Sequence, residues 1–395
     1  MPDYATPGVY VEEVPLTPSI TGVGTSTAGI IGVSTCANMP DQPDGSKYPA
    51  APVGQPIQIT SFEQFKRHFG DFDPGSAGAG AGNPGNKILA HSVYGFFNNG
   101  GSVCWVARVG DLDDAAAVQG VLTKFAAIDE IAIVAAPGAH AAPVQLALIE
   151  HCEDVNLRDR FAILDGQVTT TVTKDAIMGA LASVSDYAAI YFPYVKVRDP
   201  SGKEKEVLLP PSGLMAGIYA RVDQDRGVHK APANEVVRGA LGLAYQTSKA
   251  EQGVVNPAGV NVIRVLNGAV RVWGARTLGS SDSSKIRYIN VRRLMNFLRE
   301  SIDEGTQFAV FEPNNHPLWQ QITRTLTAFL TRVWRDGALF GDQPEQAFYV
   351  KCDASTNPPE IRDAGQVIIE VGVAPVKPAE FVIFRIAQFS QIPAK

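Results

Sequence analysis

Serine and histidine side chains are the residues of this chain that come nearest to a catalytic set. The chain has six histidines, and Ser212, Ser280 and Ser281 are candidate nucleophiles. A Ser-His-Asp triad needs its members to meet only in space, so their separation along the chain does not exclude nucleophilic catalysis. The Gly-x-Ser-x-Gly turn that presents a serine at the end of a strand is not found in the sequence. A serine hydrolase therefore remains an alternative that no motif supports.

Metal and nucleotide chemistry also lacks the required spacing. No His-Glu-x-x-His or Cys-x-x-Cys pair occurs, so zinc and redox chemistry are not indicated. Because no phosphate-binding Gly-x-x-x-x-Gly-Lys-Ser/Thr loop occurs and the glycines of 78–85 follow no strand, a nucleotide site is not indicated either. We expect no cofactor and no metal. The four scattered cysteines are expected to be reduced and mostly buried: Cys36, Cys104, Cys152 and Cys352.

The amino-acid composition limits the class of protein to which this chain can belong. The chain has 395 residues, of which 45% are hydrophobic and 19% charged, which is typical of a globular protein with two or three domains. Its net charge of −6 disfavours nucleic-acid binding, which depends on neutralising phosphates. No apolar run reaches the ~20 residues of a membrane span, and the N-terminus does not resemble a signal peptide. We expect a soluble protein that is made in a cytoplasm and does not insert into membranes.

Both ends of the chain have the pattern of extended arms. Residues 9–14 favour β-structure but are bracketed by prolines, so this short strand has little local support. The last predicted strand, 381–389, is apolar on both faces and should be covered on both sides. We therefore expect both segments to pair with other subunits. The residues expected in these inter-subunit arms are Val9, Tyr10, Val11, Phe381, Ile383, Phe384 and Ile386.

Between the arms, strands and helices alternate. Short apolar strands are predicted at 28–33, 103–109, 131–135, 161–164 and 187–192. A helix is predicted to begin within 60–65, with Ser61 or Thr60 as its cap, and further helices are predicted at 88–98, 144–156 and 175–184, with a helical stretch after Gly213. Such alternation is typical of a mainly parallel sheet with helices on its faces. Asn267-Gly268 predicts a hairpin turn between strands 261–265 and 269–273. The fold class is therefore mixed α/β.

The C-terminal third contains two amphipathic helices and a strand at 366–373. One helix begins near Tyr288, and the other spans 317–335. On the second helix, arginines lie opposite the apolar side, within roughly 80° of one another. These arginines are Arg324, Arg332 and Arg335, and the rival set on the first helix is Arg292, Arg293 and Arg299.

Several segments together resemble the contractile tail sheath family of myophage tails, R-type pyocins and related injection systems. The resemblance runs nearly from end to end. The segments that carry it are Pro7–Glu13, Phe96–Gly101, Pro211–Arg221, Asp225–Asn234, Asn256–Asn261, Trp273–Thr277, Tyr288–Leu294, Glu312–Asn315 and Ala379–Ile383.

The resemblance implies a structural subunit. Sheath subunits form six-membered rings stacked around an inner tube, and on triggering they contract and drive the tube through a target envelope. The implied organisation is an N-terminal arm (1–20), an N-terminal α/β region (21–110), a subtilisin-like α/β domain (111–275), a C-terminal α+β domain lining the tube (276–377) and a C-terminal β arm (378–395). The implied partners are further copies of the chain, the inner tube, the baseplate and the tail terminator.

The resemblance also bears on activity and location. Since the protease motif Gly-Thr-Ser-Met-Ala is missing, only the subtilisin-like fold and no activity is carried over. The arginines Arg324, Arg332 and Arg335 become candidates for contact with the tube. The particle would be a virion tail or an extracellular contractile device. Two alternatives remain, a serine hydrolase and an inner-tube protein, although tube subunits are usually much shorter β-barrel chains.

Overall fold

The computed structural model describes residues 20–36, 39–72 and 87–383. The described chain divides into two compact units. The larger unit contains residues 23–299 and 375–383, and the smaller unit contains residues 20–22 and 300–374. The predicted arm residues Val9, Tyr10, Val11, Phe384 and Ile386 lie outside the described residues.

The larger unit is built on an eight-stranded sheet with the order β11-β10-β6-β5-β4-β1-β3-β2. The six central strands from β10 to β3 run parallel, and the edge strands β11 and β2 are antiparallel to their neighbours. Its strands are β1 (Ala28–Val33), β2 (Ile57–Ile59), β3 (Cys104–Val109), β4 (Ile133–Ala135), β5 (Phe161–Asp165), β6 (Ala188–Phe192), β10 (Val260–Leu266) and β11 (Ala269–Val272). A three-stranded antiparallel sheet, β8-β7-β9, consists of β7 (Val195–Arg198), β8 (Glu206–Leu209) and β9 (Ala240–Leu243).

Helices cover both faces of the large sheet. They are α1 (Phe62–Phe69), α2 (Lys87–Asn99), α3 (Ala115–Phe125), α4 (Ala142–Glu153), α5 (Lys174–Met178), α6 (Ser212–Arg226) and α7 (Lys249–Val255), with 3₁₀ turns at Asn256–Ala258 and Leu278–Ser281. Successive side chains of each strand enter opposite cores: Ile30 packs with Phe65 and Tyr219, whereas Ile31 packs with residues such as Val121. The central strands are therefore buried on both faces, which explains their continuous apolar sequence.

The smaller unit is α-helical with a short hairpin-like sheet. Helix α8 (Ile289–Thr306) belongs to the larger unit up to Arg299 and to the smaller unit from Glu300. A 3₁₀ turn follows at Gln307–Ala309. The remaining elements are α9 (His316–Arg335), α10 (Pro344–Ala347), β12 (Phe348–Lys351), α11 (Pro359–Asp363) and β13 (Glu370–Val373). Strands β12 and β13 pair in antiparallel register, and α9 contacts β12.

Most predicted elements are confirmed. Ser61 caps α1 by accepting a hydrogen bond from the Gln64 amide, and Asn267 and Gly268 have the positive φ angles of the predicted hairpin turn. All four cysteines are buried and unbridged. The helix predicted at 175–184 is wrong in length, because α5 ends at Met178 and is followed by Gly179, whose φ of +58° is not helical. The strand predicted from 366 begins only at Glu370. In the described part of the predicted last strand, residues 381–383 form no strand.

Candidate functional site

The candidate serine Ser212 holds the start of helix α6 in this structure. Its hydroxyl donates a hydrogen bond of 2.7 Å to Asp165 Oδ2, and its backbone N–H donates one of 2.7 Å to Oδ1. The Gly138 N–H donates a third, at 3.0 Å, to Oδ2. Ser212 is fully buried. The first amide of α6 is thus satisfied by a carboxylate at the carboxyl end of β5, because helix N-termini leave N–H groups unpaired.

The hydrogen-bond partner of the Ser212 hydroxyl is the Asp165 carboxylate and not a histidine. The nearby loop residue His140 binds the hydroxyl of Tyr194 through Nε2, at 2.7 Å, and its Nδ1 is buried without a partner. Burial lowers the pKa of His140 and raises the pKa of Asp165 to about 6. The Asp165 carboxylate accepts hydrogen bonds from both the hydroxyl and the backbone N–H of Ser212, and it thereby holds the first residue of α6.

The other two candidate serines, Ser280 and Ser281, differ in their surroundings. Ser280 is buried and donates to the Pro257 carbonyl at 3.1 Å, whereas Ser281 is exposed. Within the described residues, no group of three or more His, Cys, Asp or Glu side chains is placed to hold a metal ion. No helix in the described ranges is both long and apolar enough to cross a membrane.

The motif 211–221 packs α6 tightly against α2. A Cβ atom at Gly217 would lie 2.3 Å from the Phe96 carbonyl oxygen, and one at Gly213 would lie 2.9 Å from the Ser92 carbonyl oxygen. Gly95 on α2 is equally confined, because a Cβ atom added there would lie 2.6 Å from the Leu214 side chain. These glycines therefore let two helix backbones approach closely, which is a structural role.

The arginines at the start of α8 are engaged within the larger unit. Arg293 forms a two-point ion pair with Asp223, with N–O distances of 2.8 and 2.6 Å, and both side chains are buried. Its guanidinium also lies 4.7 Å from the centre of the Tyr219 ring. Arg292 pairs with Asp186, and Arg299 donates to a backbone carbonyl at 2.7 Å. The rival set of arginines thus has partners inside its own subunit.

Helix α9 places its three arginines as the sequence predicts. Its apolar side is buried, and Arg324, Arg332 and Arg335 are exposed. Arg324 Nε donates to the Gln320 carbonyl of the same helix at 3.4 Å, and Arg332 donates to the carbonyl of Ile20. Ile20 is itself buried in the smaller unit beside Gly305, where a Cβ would lie 2.4 Å from Ile20 Cγ1. One of the three arginines therefore also holds the end of the N-terminal segment.

The last described residues of the predicted C-terminal arm are solvent-exposed and apolar. Phe381, Val382 and Ile383 are 70%, 71% and 81% exposed. Three consecutive exposed apolar residues are unusual unless another surface covers them. The structure thus brings Phe381 and Ile383 to a surface where a second chain has access to them.

Strand β12 of the two-stranded sheet is a feature that the sequence analysis did not predict, whereas β13 lies within the strand predicted at 366–373. Each strand of the sheet has four residues, and among the described residues neither pairs with a third strand. The β-prone run Phe348–Lys351 was the signal available for it. Tyr349 is 58% exposed and lies over Gly372, where a Cβ atom would meet its ring at 2.1 Å. An isolated two-stranded sheet is marginal in water and leaves backbone groups on both outer edges unpaired.

Comparison with known proteins shows which families and relatives this chain resembles. Residues 114–278 match the family described as phage tail sheath protein central domain, and residues 281–389 match the phage tail sheath C-terminal domain. The chain is 29% identical over 193 residues to the tail sheath protein of Burkholderia phage BcepMu; the match covers 47% of this chain and 39% of that relative. This chain thus spans well under half the length of that relative.

Solved structures cover more of the chain. A sheath complex of an extracellular contractile injection system, PVC, in the contracted state has a TM-score of 0.76 at 29% identity and covers 99% of both chains. The helical sheath of the anti-feeding prophage, also contracted, has a TM-score of 0.76 at 28% identity and covers 98% of this chain and 100% of that chain. With both family domains matched over most of its length, this chain belongs to the phage tail sheath family.

Proposed function

We propose that this chain is the sheath subunit of a contractile tail or injection device. It polymerises as stacked six-membered rings around an inner tube and contracts to drive that tube through a target envelope. The observation that carries the proposal is the exposed apolar segment 381–383 in a chain whose whole length resembles subunits of two contracted sheath assemblies. Such a segment suits exchange between identical subunits, since it is open to another chain.

We infer that the arms are received by the β12–β13 sheet of neighbouring subunits. The open edges of this sheet supply the backbone donors and acceptors that strand addition needs. Each backbone hydrogen bond contributes only about 0.5–1.5 kcal/mol net. A lattice repeats these contacts many times, so a short arm is sufficient. The arms would keep subunits connected while their bodies move past one another during contraction.

Partners beyond the chain itself are proposed on two grounds. The exposed arginines of α9 would meet acidic residues of the inner tube, through weak pairs of about 0.2–1 kcal/mol that release on contraction. A baseplate of the anti-feeding prophage contains a chain 28% identical to this one, with a TM-score of 0.75, which supports contact with a baseplate. A tail terminator would close the other end. The particle would be a virion tail or an extracellular device, assembled in a host cytoplasm.

We propose that the chain has no hydrolase activity. The support is the direct Ser212–Asp165 hydrogen bond and the engagement of His140 with Tyr194. A fluorophosphonate probe, which labels activated serines, should leave the protein unlabelled. Labelling that disappears in Ser212→Ala, Ser280→Ala or Ser281→Ala would favour the hydrolase.

Deletion of residues 381–395 tests the exchange of arms. The truncated chain should fold with unchanged circular dichroism, because the described deleted residues are exposed, but it should remain dispersed in negative-stain images. Control Glu360→Gln, on an exposed position of α11, should assemble like the full chain. Normal cylinders from the truncated chain would contradict a role for this arm.

A further inference from the structure

The root of the predicted C-terminal arm (378–395) is held on the larger unit by the carboxylate of Glu380. Arg276 donates to it twice, from Nε to Oε1 at 2.8 Å and from Nη2 to Oε2 at 2.9 Å. Asn256 Nδ2 donates to Oε1 at 2.8 Å, and the Tyr288 hydroxyl donates to Oε2 at 3.0 Å. Burial disfavours the charge, but these hydrogen bonds outweigh it and hold the pKa of Glu380 below its ordinary value. Bidentate arginine–carboxylate pairs of this kind fix orientation as well as position.

The arginine that binds Glu380 is itself braced by a buried side chain. Asn261 Oδ1 accepts from the Arg276 N–H at 2.7 Å, and Asn261 Nδ2 donates to the Arg276 carbonyl at 2.7 Å. Asn261 is fully buried in β10, and its Nδ2 also reaches the Ile190 carbonyl of β6 at 3.2 Å. Gly274 permits this approach, since a Cβ there would lie 2.8 Å from Asn261 Cα. The anchor is therefore continuous with the central sheet.

A second attachment lies four residues earlier in the same segment. Asn290, at the start of α8 and nearly fully buried, donates from Nδ2 to the Val376 carbonyl at 3.2 Å and to the His229 carbonyl at 2.7 Å. The residues of this seat come from segments 225–234, 256–261, 273–277 and 288–294. They converge on residues 376–380.

Support by the body ends abruptly after Glu380. The glutamate side chain is 21% exposed, whereas the next three residues are at least 70% exposed. A chain fixed at one residue and open at the next has a defined point of departure. Preorganisation of this kind raises the effective concentration of a tethered segment at its target and lowers the entropy lost on binding.

We propose that Glu380 is a positioning residue that sets the point and direction from which the C-terminal arm leaves its own subunit. The proposal rests on the proposed function, because it assigns the arm to exchange between sheath subunits. The seat of Arg276, Asn256 and Tyr288 holds the arm root on its own body while residues beyond 380 bind a neighbour. Loss of the anchor would leave the fold intact but let the arm sample many directions.

The test compares Glu380→Gln, which keeps the side-chain volume but removes the charge, with Glu360→Gln as the matched control. Hydrogen exchange of residues 376–383 is measured on the full chain below its polymerisation concentration. In Glu380→Gln, amides 376–380 should exchange about tenfold faster, and the concentration needed for cylinders should rise about tenfold, as expected for loss of one charge-assisted hydrogen bond. Tyr288→Phe, which removes one hydroxyl, should act in the same direction with a smaller effect and serves if Glu380→Gln does not fold.

The outcomes separate this inference from the proposed function. If the unaltered chain forms no cylinders, the proposed function fails, and the inference falls with it. If the unaltered chain forms cylinders and Glu380→Gln and Tyr288→Phe match Glu360→Gln in either exchange or assembly, only the positioning role is overturned. Faster exchange together with weaker assembly supports it.

Discussion

Gly217 of α6 lies directly against the carbonyl oxygen of Phe96 in α2, leaving no room for a side chain. An ideal Cβ at Gly217 would be 2.3 Å from that oxygen. Backbone atoms cannot give way as a flexible side chain would, so the two helices would have to separate. This contact sits in the core that covers one face of the large sheet.

Gly217→Ala should therefore destabilise the subunit. Overpacking costs about 1–3 kcal/mol, and this exceeds the gain of about 1 kcal/mol that alanine brings to a helix interior. Urea unfolding of the unassembled chain measures the difference. The matched control is Gly120→Ala on α3, where nothing lies within 4 Å of the added Cβ, and this variant should be as stable as the unaltered chain or more so. Equal stability of both variants would contradict the assigned packing.

Asp165 predicts a pH dependence of stability. Its pKa in the folded chain is raised by burial to about 6, above the ordinary 3.8. The folded state therefore binds the proton more tightly, so this group's contribution to stability is present below about pH 4 and is lost as pH rises through 6. The loss amounts to at most about 3 kcal/mol.

Unfolding free energies at pH 4.5 and pH 7 measure this effect. As pH rises, the unfolding free energy of the unaltered chain should fall relative to that of Asp165→Asn, because asparagine does not titrate. Asp44→Asn, on an exposed carboxylate, provides the control and should show no shift in that direction. A pH-independent difference for Asp165→Asn would show that this carboxylate keeps its ordinary pKa.

The larger unit follows from local signals in the sequence. Apolar runs such as Phe161–Asp165 became buried parallel strands, because strand-helix alternation leaves both faces of a sheet to be covered. The Asn267-Gly268 turn fixed the register of β10 and β11. The sheet β8-β7-β9 was missed, since its strands have only four residues each and β9 pairs with β7 across more than forty residues of sequence.

The assembly elements were predictable only in part. The sides of α9 follow from helical periodicity, and so the exposure of Arg324 and Arg335 could be predicted. The contact of Arg332 with Ile20 could not, because it joins residues 312 positions apart. The Glu380 anchor likewise depends on Arg276 and Tyr288 meeting in space, and no spacing rule predicts such a meeting.

We expect the exposed arginines of α9 to contact the inner tube. Changing Arg324, Arg332 and Arg335 together to glutamate should preserve folding and arm-mediated polymerisation but abolish assembly of the extended sheath on tubes. Only contracted, empty cylinders should remain in electron micrographs. Because Arg332 also binds Ile20, the pair Arg324→Glu and Arg335→Glu isolates the surface charge and should weaken assembly on tubes in the same way.

A charge control separates this effect from general electrostatics. Arg226→Glu with Arg362→Glu changes exposed arginines elsewhere by the same charge and should assemble normally on tubes. If the α9 variants still form extended sheaths on tubes at physiological salt, this helix does not bind the tube.

Deletion of the predicted N-terminal arm should prevent assembly without preventing folding. A chain lacking residues 1–19, which keeps the buried Ile20, should form a folded monomer that no longer builds long cylinders, because it loses the strand at 9–14 that we expect to pair with another subunit. Size-exclusion chromatography and circular dichroism establish the folded monomer. Long cylinders from this truncated chain would contradict a role for the N-terminal arm in assembly.

Negative-stain electron microscopy of the purified full chain, alone and at increasing concentration, tests the central claim most directly. We expect striated hollow cylinders with sixfold end views, because the arms would join subunits even without a tube. Dispersed particles of single-subunit size at every concentration would contradict the proposal that this chain builds a sheath.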